Sequence, residues 1–160
     1  MAVVECRDQG AVRVITLNRP DQLNALNTET LVAMRAALAD AAHDSGVRCL
    51  VLTGAGRGFC AGADVDEWAS KKETPPEHDW VAEATAMVQE LHALSVPTLA
   101  MIDGAAVGAG LDLALACDFR LATARSKFIC AYTNIGYPPD CGGSWLMPRI
   151  IGLEAAKRFA

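Results

Sequence analysis

The 160-residue sequence has no surplus of positive charge: 14 Lys and Arg stand against 19 Asp and Glu, a formal net charge of -5. That balance argues against a nucleic-acid binder or a protein held on an acidic membrane, both of which draw affinity from clustered Lys and Arg. An anionic ligand must therefore be gripped locally. Close cysteine pairs are missing as well. Cys6, Cys49, Cys60, Cys117, Cys130 and Cys141 are never nearer than eleven positions, so there is no CxxC zinc or redox pair, no metal site is expected, and no disulfide is required. No apolar run has the ~20 residues of a membrane span. The stretch from Met1 to Gly10 carries Glu5, Arg7 and Asp8 where a secretory signal has a basic flank and an apolar core. Internal repeats and low-complexity tracts are absent to the eye. The expectation is a cytoplasmic protein with reduced thiols.

What is present is apolar: 52% of residues are hydrophobic and 21% charged, the balance of a chain that buries one core, so residues 1–160 are expected to form one domain. Val12 to Leu17 alternates as a strand and ends at the turn-prone Asn18-Arg19-Pro20-Asp21. Asn27 or Thr28 can cap a helix to about His43, with Leu31, Met34, Leu38 and Ala41 at helical spacing. Cys49 to Thr53 suits a buried strand that runs into Gly54-Ala55-Gly56-Arg57-Gly58, and Ala63 to Lys72 can form a helix with Asp64 near its start. Lys71 to Pro76 is expected as a surface loop. A helix follows from Asp79 to Leu94, then a strand from Thr98 to Asp103, a Gly/Ala run and a helix from Leu111 to Cys117. Phe119 to Ala122 and Phe128 to Ala131 are further strands, Gly136 to Gly143 a turn, and Trp145 to Ile151 and Leu153 to Ala160 helices. This alternation is that of the α/β class.

Two loops share one design: an apolar strand, small residues, then a helix with an acidic residue in its first turn. They are Gly58-Phe59-Cys60-Ala61-Gly62-Ala63-Asp64 and Gly104-Ala105-Ala106-Val107-Gly108-Ala109-Gly110-Leu111-Asp112. Small side chains let a ligand approach the backbone, and free amides at a helix start point at negative charge, so a pair of such loops can form an oxyanion hole. The same residues would also serve plain strand-to-helix packing. A dinucleotide fingerprint fails because the third glycine of Gly54-Ala55-Gly56-Arg57-Gly58 comes one residue early, and a phosphate loop fails for want of Gly-Lys-Ser/Thr.

In combination, Asn18-Arg19-Pro20 with Asn24-Ala25-Leu26, Phe59-Cys60-Ala61-Gly62-Ala63-Asp64, Gly108-Ala109-Gly110 through Asp118, and Pro139-Asp140-Cys141-Gly142-Gly143-Ser144 resemble the crotonase (enoyl-CoA hydratase/isomerase) superfamily over essentially the whole chain. The resemblance implies a crotonase-like spiral of repeated ββα units, assembly as a homotrimer or hexamer, and acyl-CoA thioester substrates, with coenzyme A arriving as part of the substrate and no cofactor bound permanently. It also implies that the amides of Ala63 and Ala109 bind the thioester oxygen. Leu23, Asn24, Ala25 and Ala61 fall where the family shapes its adenine pocket, largely with backbone, and Asp64, Val65 and Asp66 fall along the acyl-CoA channel. Many relatives have Lys at the Asp66 position, so Arg19, Arg57 or a residue outside this chain is expected to meet the CoA phosphates. The resemblance stops short of the carboxyl-terminal helical segment that covers the acyl pocket in relatives. The last helix carries no Gly, Asn or Pro stop signal, so a missing segment is expected there.

By the same resemblance, hydratases carry a glutamate pair at the positions of Asp112 and Tyr132. Water addition needs one group to activate water and another to protonate the α-carbon, and a neutral tyrosine is a poor substitute for the second carboxylate. Asp140 stands where several isomerases and a dehalogenase place a functional aspartate. Dienoyl isomerases share both aspartates but keep a glutamate at the Tyr132 position, and a dehalogenase would need a histidine near Thr85, from which His92 is offset by seven residues. An enoyl isomerase needs one base, and an apolar pocket would raise a carboxyl toward the useful range. The expectation is therefore an enoyl-CoA isomerase with Asp140 as base, with hydration, thioester hydrolysis or non-catalytic binding as alternatives. Asp140 could instead cap the helix beginning near Gly142, and Asp112 could complement a helix dipole. Asp118 is expected to be structural, His43, His78 and His92 to be surface or packing residues, and Trp145 and Tyr137 to be candidates for the acyl pocket.

Overall fold

The computed structural model of the protein describes residues 2–70 and 79–160, without the side chains of residues 68–70. The expected loop at Lys71 to Pro76, His78 and the end of the helix expected to reach Lys72 lie outside the described residues. In chain order the elements are β1 (Val4–Gln9), β2 (Val12–Leu17), α1 (Thr28–His43), β3 (Cys49–Gly54), α2 (Val65–Ser70), α3 (Trp80–His92), β4 (Thr98–Ile102), β5 (Ala105–Val107), α4 (Ala109–Ala116), β6 (Phe119–Ala122), β7 (Lys127–Ile129), α5 (Gly143–Ile151) and α6 (Leu153–Phe159).

The larger sheet has strand order β1-β2-β3-β4-β6 and the smaller pairs β5 with β7. Among the described residues only β1 and β2 pair antiparallel; every other strand pairing is parallel. After β3, β4 and β6 the chain steps from the large sheet to the small one, as the bridge Cys60 to Ala106, β5 and β7. The steps through β5 and β7 lead on to α4 and α5, so successive turns lay strand, short strand and helix on top of one another. This is the ββα spiral. It leaves no repeat in the sequence because the inner strands are only three residues long, and any small apolar side chain satisfies them.

The local reasons are ordinary ones. In β2, Ile15 and Leu17 turn inward against α1, whose Leu31, Met34, Leu38 and Ala41 are buried on one face. Asn27 caps α1 by accepting the Thr30 amide at 2.9 Å, and Asp79 caps α3 by accepting the amides of Val81 and Ala82. His43 Nδ1 lies 2.7 Å from the Ala39 carbonyl at the end of α1. Asp118 is structural as expected, accepting the Thr98 amide at 2.8 Å to join β6 to the start of β4. All eight residues of α4 are buried, Asp112 among them, as befits a helix in the middle of a core. Among the described residues no helix is long and apolar enough to cross a membrane.

Several elements differ from the sequence expectation, among them α5, which begins at Gly143 where Trp145 was expected, and β7, which is Lys127–Ile129 where Phe128 to Ala131 was expected. β1 carries no apolar alternation because nearly all of it is exposed at the edge of the sheet. β5 lies within what was expected to be a continuous glycine loop, and α4 begins at Ala109, two residues earlier than Leu111.

Arg13 closes the other end of β2. Its guanidinium is buried and bonds Asp8 from β1 at 2.8 and 2.9 Å, Asp40 from α1 at 2.8 Å and Asp44 at 2.9 Å. Arg13→Met is expected to lower the denaturant midpoint by an amount worth about 2 kcal/mol, as loss of charge-assisted hydrogen bonds implies. Asp40→Asn, at a far more exposed partner, should cost well under about 1 kcal/mol in the same unfolding experiment.

Candidate functional site

The two glycine-rich loops meet through a short ladder. The amides of Phe59 and Cys60 both donate to the Ala105 carbonyl at 3.0 Å, and the Val107 amide donates to the Cys60 carbonyl at 2.9 Å. On the other side, the Leu26 amide donates to the Gly62 carbonyl at 2.7 Å and the Asp64 amide to the Leu26 carbonyl at 3.0 Å. This parallel pattern steps over Ala63, whose amide is left without an acceptor. Ala109 is the first residue of α4, so its amide has no intrahelical acceptor either. Among the described residues neither amide donates a hydrogen bond.

Gly62 sets the spacing of the loops. Its φ of 89° lies in the left-handed region, and a Cβ there would stand 2.7 Å from the Val107 carbonyl oxygen and 3.5 Å from the Ala109 nitrogen. A side chain would push the two loops apart. The amides open on a cavity of about 160 Å³ whose lining includes Ala61, Ala63, Ala109, Tyr132, Asp140 and Cys141, with Val65 and Tyr137. Asp140 also lines a neighbouring cavity of about 460 Å³ between α3 and α5, with Thr85, Val88, His92 and Trp145.

The carboxylates divide sharply. Asp140 is half-buried on the turn before α5 and does not cap that helix; the capping position is Gly142, with no side-chain hydrogen bond. Its Oδ1 accepts from the buried Cys141 thiol at 3.6 Å. Asp112, expected in the same pocket, is wholly buried, 0% exposed, and does not line the cavity. Its Oδ2 accepts the Tyr132 hydroxyl, and its Oδ1 has no hydrogen-bond partner among the described residues. Burial pushes the Asp112 carboxyl up to about 7; the nearby Asp140 adds to this, while the Tyr132 hydroxyl and the Gly143 backbone draw it down. Burial and Asp112 together raise Tyr132 above the ordinary tyrosine range, so it stays a neutral donor.

The residues expected to hold CoA are close together, but several are committed to the scaffold. Asn24 is 1% exposed, and its side chain accepts the Arg19 amide at 2.9 Å and donates to the carbonyls of Ala55 at 2.9 Å and Gly58 at 2.8 Å. Leu23 and Asn24 both have positive φ, 51° and 59°, so these bonds hold a strained turn. The Ala61 amide donates to the Leu23 carbonyl at 2.9 Å, and Arg19 to the Ala25 carbonyl at 2.6 Å. Asp64 is not a free channel residue. It caps α2 through the amides of Asp66 and Glu67 and pairs with Arg19 at 2.7 Å. Burial alone would raise its carboxyl, but Arg19 and these amides outweigh that and hold it below the usual range. Arg19 is thereby occupied as well, whereas Arg57 is exposed and has no ion pair among the described residues. Val65 is exposed at the cavity, and Asp66 is exposed beside it.

Sequence reasoning missed Cys141 and Gly62 as site residues. Cys141 was read as an unpaired thiol and as part of the motif Pro139 to Ser144, with no role of its own, although its position next to Asp140 was a usable signal. Trp145 lies in the neighbouring cavity instead of beside the amides, with Arg149 4.0 Å above its ring and His92 edge-on at 5.6 Å.

Comparison with known proteins gives a consistent set. The family described as enoyl-CoA hydratase/isomerase matches residues 12–157. The 1,2-epoxyphenylacetyl-CoA isomerase of Escherichia coli K12 is 40% identical over 152 residues, which cover 93% of this chain and 58% of that protein. The short-chain-enoyl-CoA hydratase of Clostridium acetobutylicum is 34% identical over 152 residues, 94% of this chain and 58% of the relative. A solved Pseudomonas aeruginosa structure superposes with a TM-score of 0.92 at 45% identity, covering 99% of this chain and 68% of that one. The chain thus spans under three fifths of the length of these two curated relatives.

Asp112 generates a pH prediction. Because its folded-state carboxyl is raised to about 7 from 3.8, the native state keeps a proton that the unfolded chain has lost between those values. Stability from this group is full at low pH and declines as pH rises toward 7. Asp112→Asn, which cannot ionise, is expected to melt progressively higher relative to the parent protein as pH is raised from about 5 to about 8; thermal melts across that range test it, and a constant difference would contradict it.

Proposed function

The chain belongs to the enoyl-CoA hydratase/isomerase family, and from that premise we propose that it shifts the double bond of an enoyl-CoA thioester, with Asp140 as the base. The observation that carries this reading is that Asp140 lines the same cavity as the two amides without acceptors, those of Ala63 and Ala109, while Asp112 does not.

The chemistry follows from that arrangement. With the thioester oxygen between the two amides, removal of the α-proton by Asp140 leaves a dienolate whose charge falls on that oxygen. The N–H groups and the amino end of α4 meet this charge without reorganising. The Asp140 carboxyl then returns the proton to the γ-carbon, completing isomerisation with one group. Hydration would need a second group in contact with water, and Tyr132, held neutral against Asp112, does not supply it. Coenzyme A enters as part of the substrate, its adenine against the backbone of Leu23, Asn24, Ala25 and Ala61 and its thioester arm past Val65 and Asp66. With Arg19 paired to Asp64, Arg57 or a residue outside this chain meets its phosphates. Exposed Phe119, Leu121 and Leu153 support assembly as a homotrimer or hexamer, and the protein is proposed to act in the cytoplasm.

Asp140→Asn removes the proton acceptor at almost constant volume, so isomerisation of a 3-enoyl-CoA is expected to disappear while the Kd for CoA thioester, by calorimetry, stays within a few fold. Full turnover in that variant would sink the assignment. For the oxyanion site, Ala109→Pro deletes the amide proton and is expected to lose about 10² to 10³ in kcat, whereas Ala109→Gly keeps the donor and most of the rate. Equal losses in two variants with matching melting curves would count against the amide's role.

A further inference from the structure

Tyr132 stands between the proposed reaction cavity and a second carboxylate. Its ring lines the cavity with Ala63, Ala109 and Asp140, and the residue is 8% exposed. It packs on the loop that carries the Ala109 amide, where a Cβ on Gly108 would meet ring carbon Cε1 at 3.8 Å. At its far end the hydroxyl is held by Asp112 Oδ2. On its other side Asp112 is shut in by α5, for a Cβ on Gly143 would stand 2.2 Å from Oδ1. That same Oδ1 has no hydrogen-bond partner among the described residues. The Gly143 backbone beside it offsets only part of the cost of burying that oxygen, and a water reaching it would offset more.

Hydration and isomerisation differ in what they need here. In hydration the water oxygen bonds to the β-carbon, its released proton passes to one carboxylate, and the α-carbon of the resulting enolate takes a proton from a second carboxyl, so that one water is added overall. Isomerisation uses one carboxyl and no water. Asp140 is one such group; Asp112 is the second, and it lies behind the phenol.

Resting on the reading of Asp140 as base, we infer that Tyr132 is a specificity-determining plug: anchored by Asp112, its ring denies water the second carboxylate and holds the enoyl thioester to isomerisation. Asp112 is then a positioning residue that acts through Tyr132. The ring does the excluding and the hydroxyl only fixes it, so the two parts of the side chain separate by substitution.

The test runs the protein with 2-hexenoyl-CoA and 3-hexenoyl-CoA in water labelled with heavy oxygen, with products read by mass spectrometry. Tyr132→Ala is expected to raise labelled 3-hydroxyacyl-CoA about a hundredfold, the lower end of what a general base contributes. Tyr132→Phe keeps the ring but loses its anchor on Asp112, so its labelled product should fall between the parent and Tyr132→Ala, and Tyr132→Ala combined with Asp112→Asn should return to the parent level. A crystal structure of Tyr132→Ala is a readout that needs no turnover: a water within about 3 Å of Asp112 is expected there. No labelled product and no such water in Tyr132→Ala would overturn the plug, as would equal labelling with Asp112→Asn added. The two readings fail separately. A parent protein that does not isomerise overturns the base assignment, whereas one that isomerises beside a Tyr132→Ala that neither admits water nor takes up label overturns the plug alone.

Discussion

The short parallel ladder between the loop after β3 and strand β5 is the contact on which the rest of the site depends. Cys60 bonds both ways to the β5 backbone, and Leu26 bonds both ways around Ala63. Because each ladder uses alternate groups, the amide of Ala63 is left over. The helix that follows β5 leaves the amide of Ala109 over in the same way. Two donors without acceptors cost the fold about 1 to 3 kcal/mol each if water is kept out, and the ladder holds them on one cavity wall. The residues around them must be small: a Cβ at Gly110 would stand 2.4 Å from the Cys60 carbonyl oxygen, so the loops approach at backbone distance or not at all.

From that wall outward, electrostatics assigns unlike roles to two aspartates of the same type. Asp112 sits on a helix buried on every side, so its charged form is disfavoured, and its Oδ2 accepts the Tyr132 hydroxyl. Asp140 sits on a turn that opens into two cavities and is half-buried. The difference comes from where α4 and the α5 turn place them relative to the cavity, since both carboxylates are the same length.

Much of the framework was legible in the sequence. α1 had a cap residue, a buried stripe at helical spacing and a basic end, and β2 and β3 had apolar patterns of the right length, because burial imposes periodicity. The exposed edge strand β1 and the three-residue β5 lack that constraint, which is why neither showed. For the site, Ala63, Ala109 and Asp140 come together on the cavity as the family motifs implied, while Asp112 does not join them. Side-chain direction out of α4 is not a property of spacing: one residue on a helix buried all round can point toward the ligand or toward the next helix. Asn24 and Asp64 are the converse case. Their place in the motifs looked like contact with a ligand, and in the fold their side chains hold the turn and the helix that shape the binding surface.

Arg19 shows how far that scaffolding role reaches. Its guanidinium ties the Ala25 carbonyl to Asp64, and Asp64 in turn caps α2 immediately after Ala63. One cation thus links the turn at Leu23 to the start of the helix that follows the Ala63 amide. On the proposed reading, fixing that amide serves the site more than a second charge for a phosphate, which an exposed Arg57 can meet through solvent. An ion pair that is mostly out of water gains from fixed geometry what a mobile surface pair loses to screening. Arg19 is thus committed, like the buried Arg13, to holding backbone and helix in place, and on the proposed reading an exposed cation such as Arg57 is left to meet an anion.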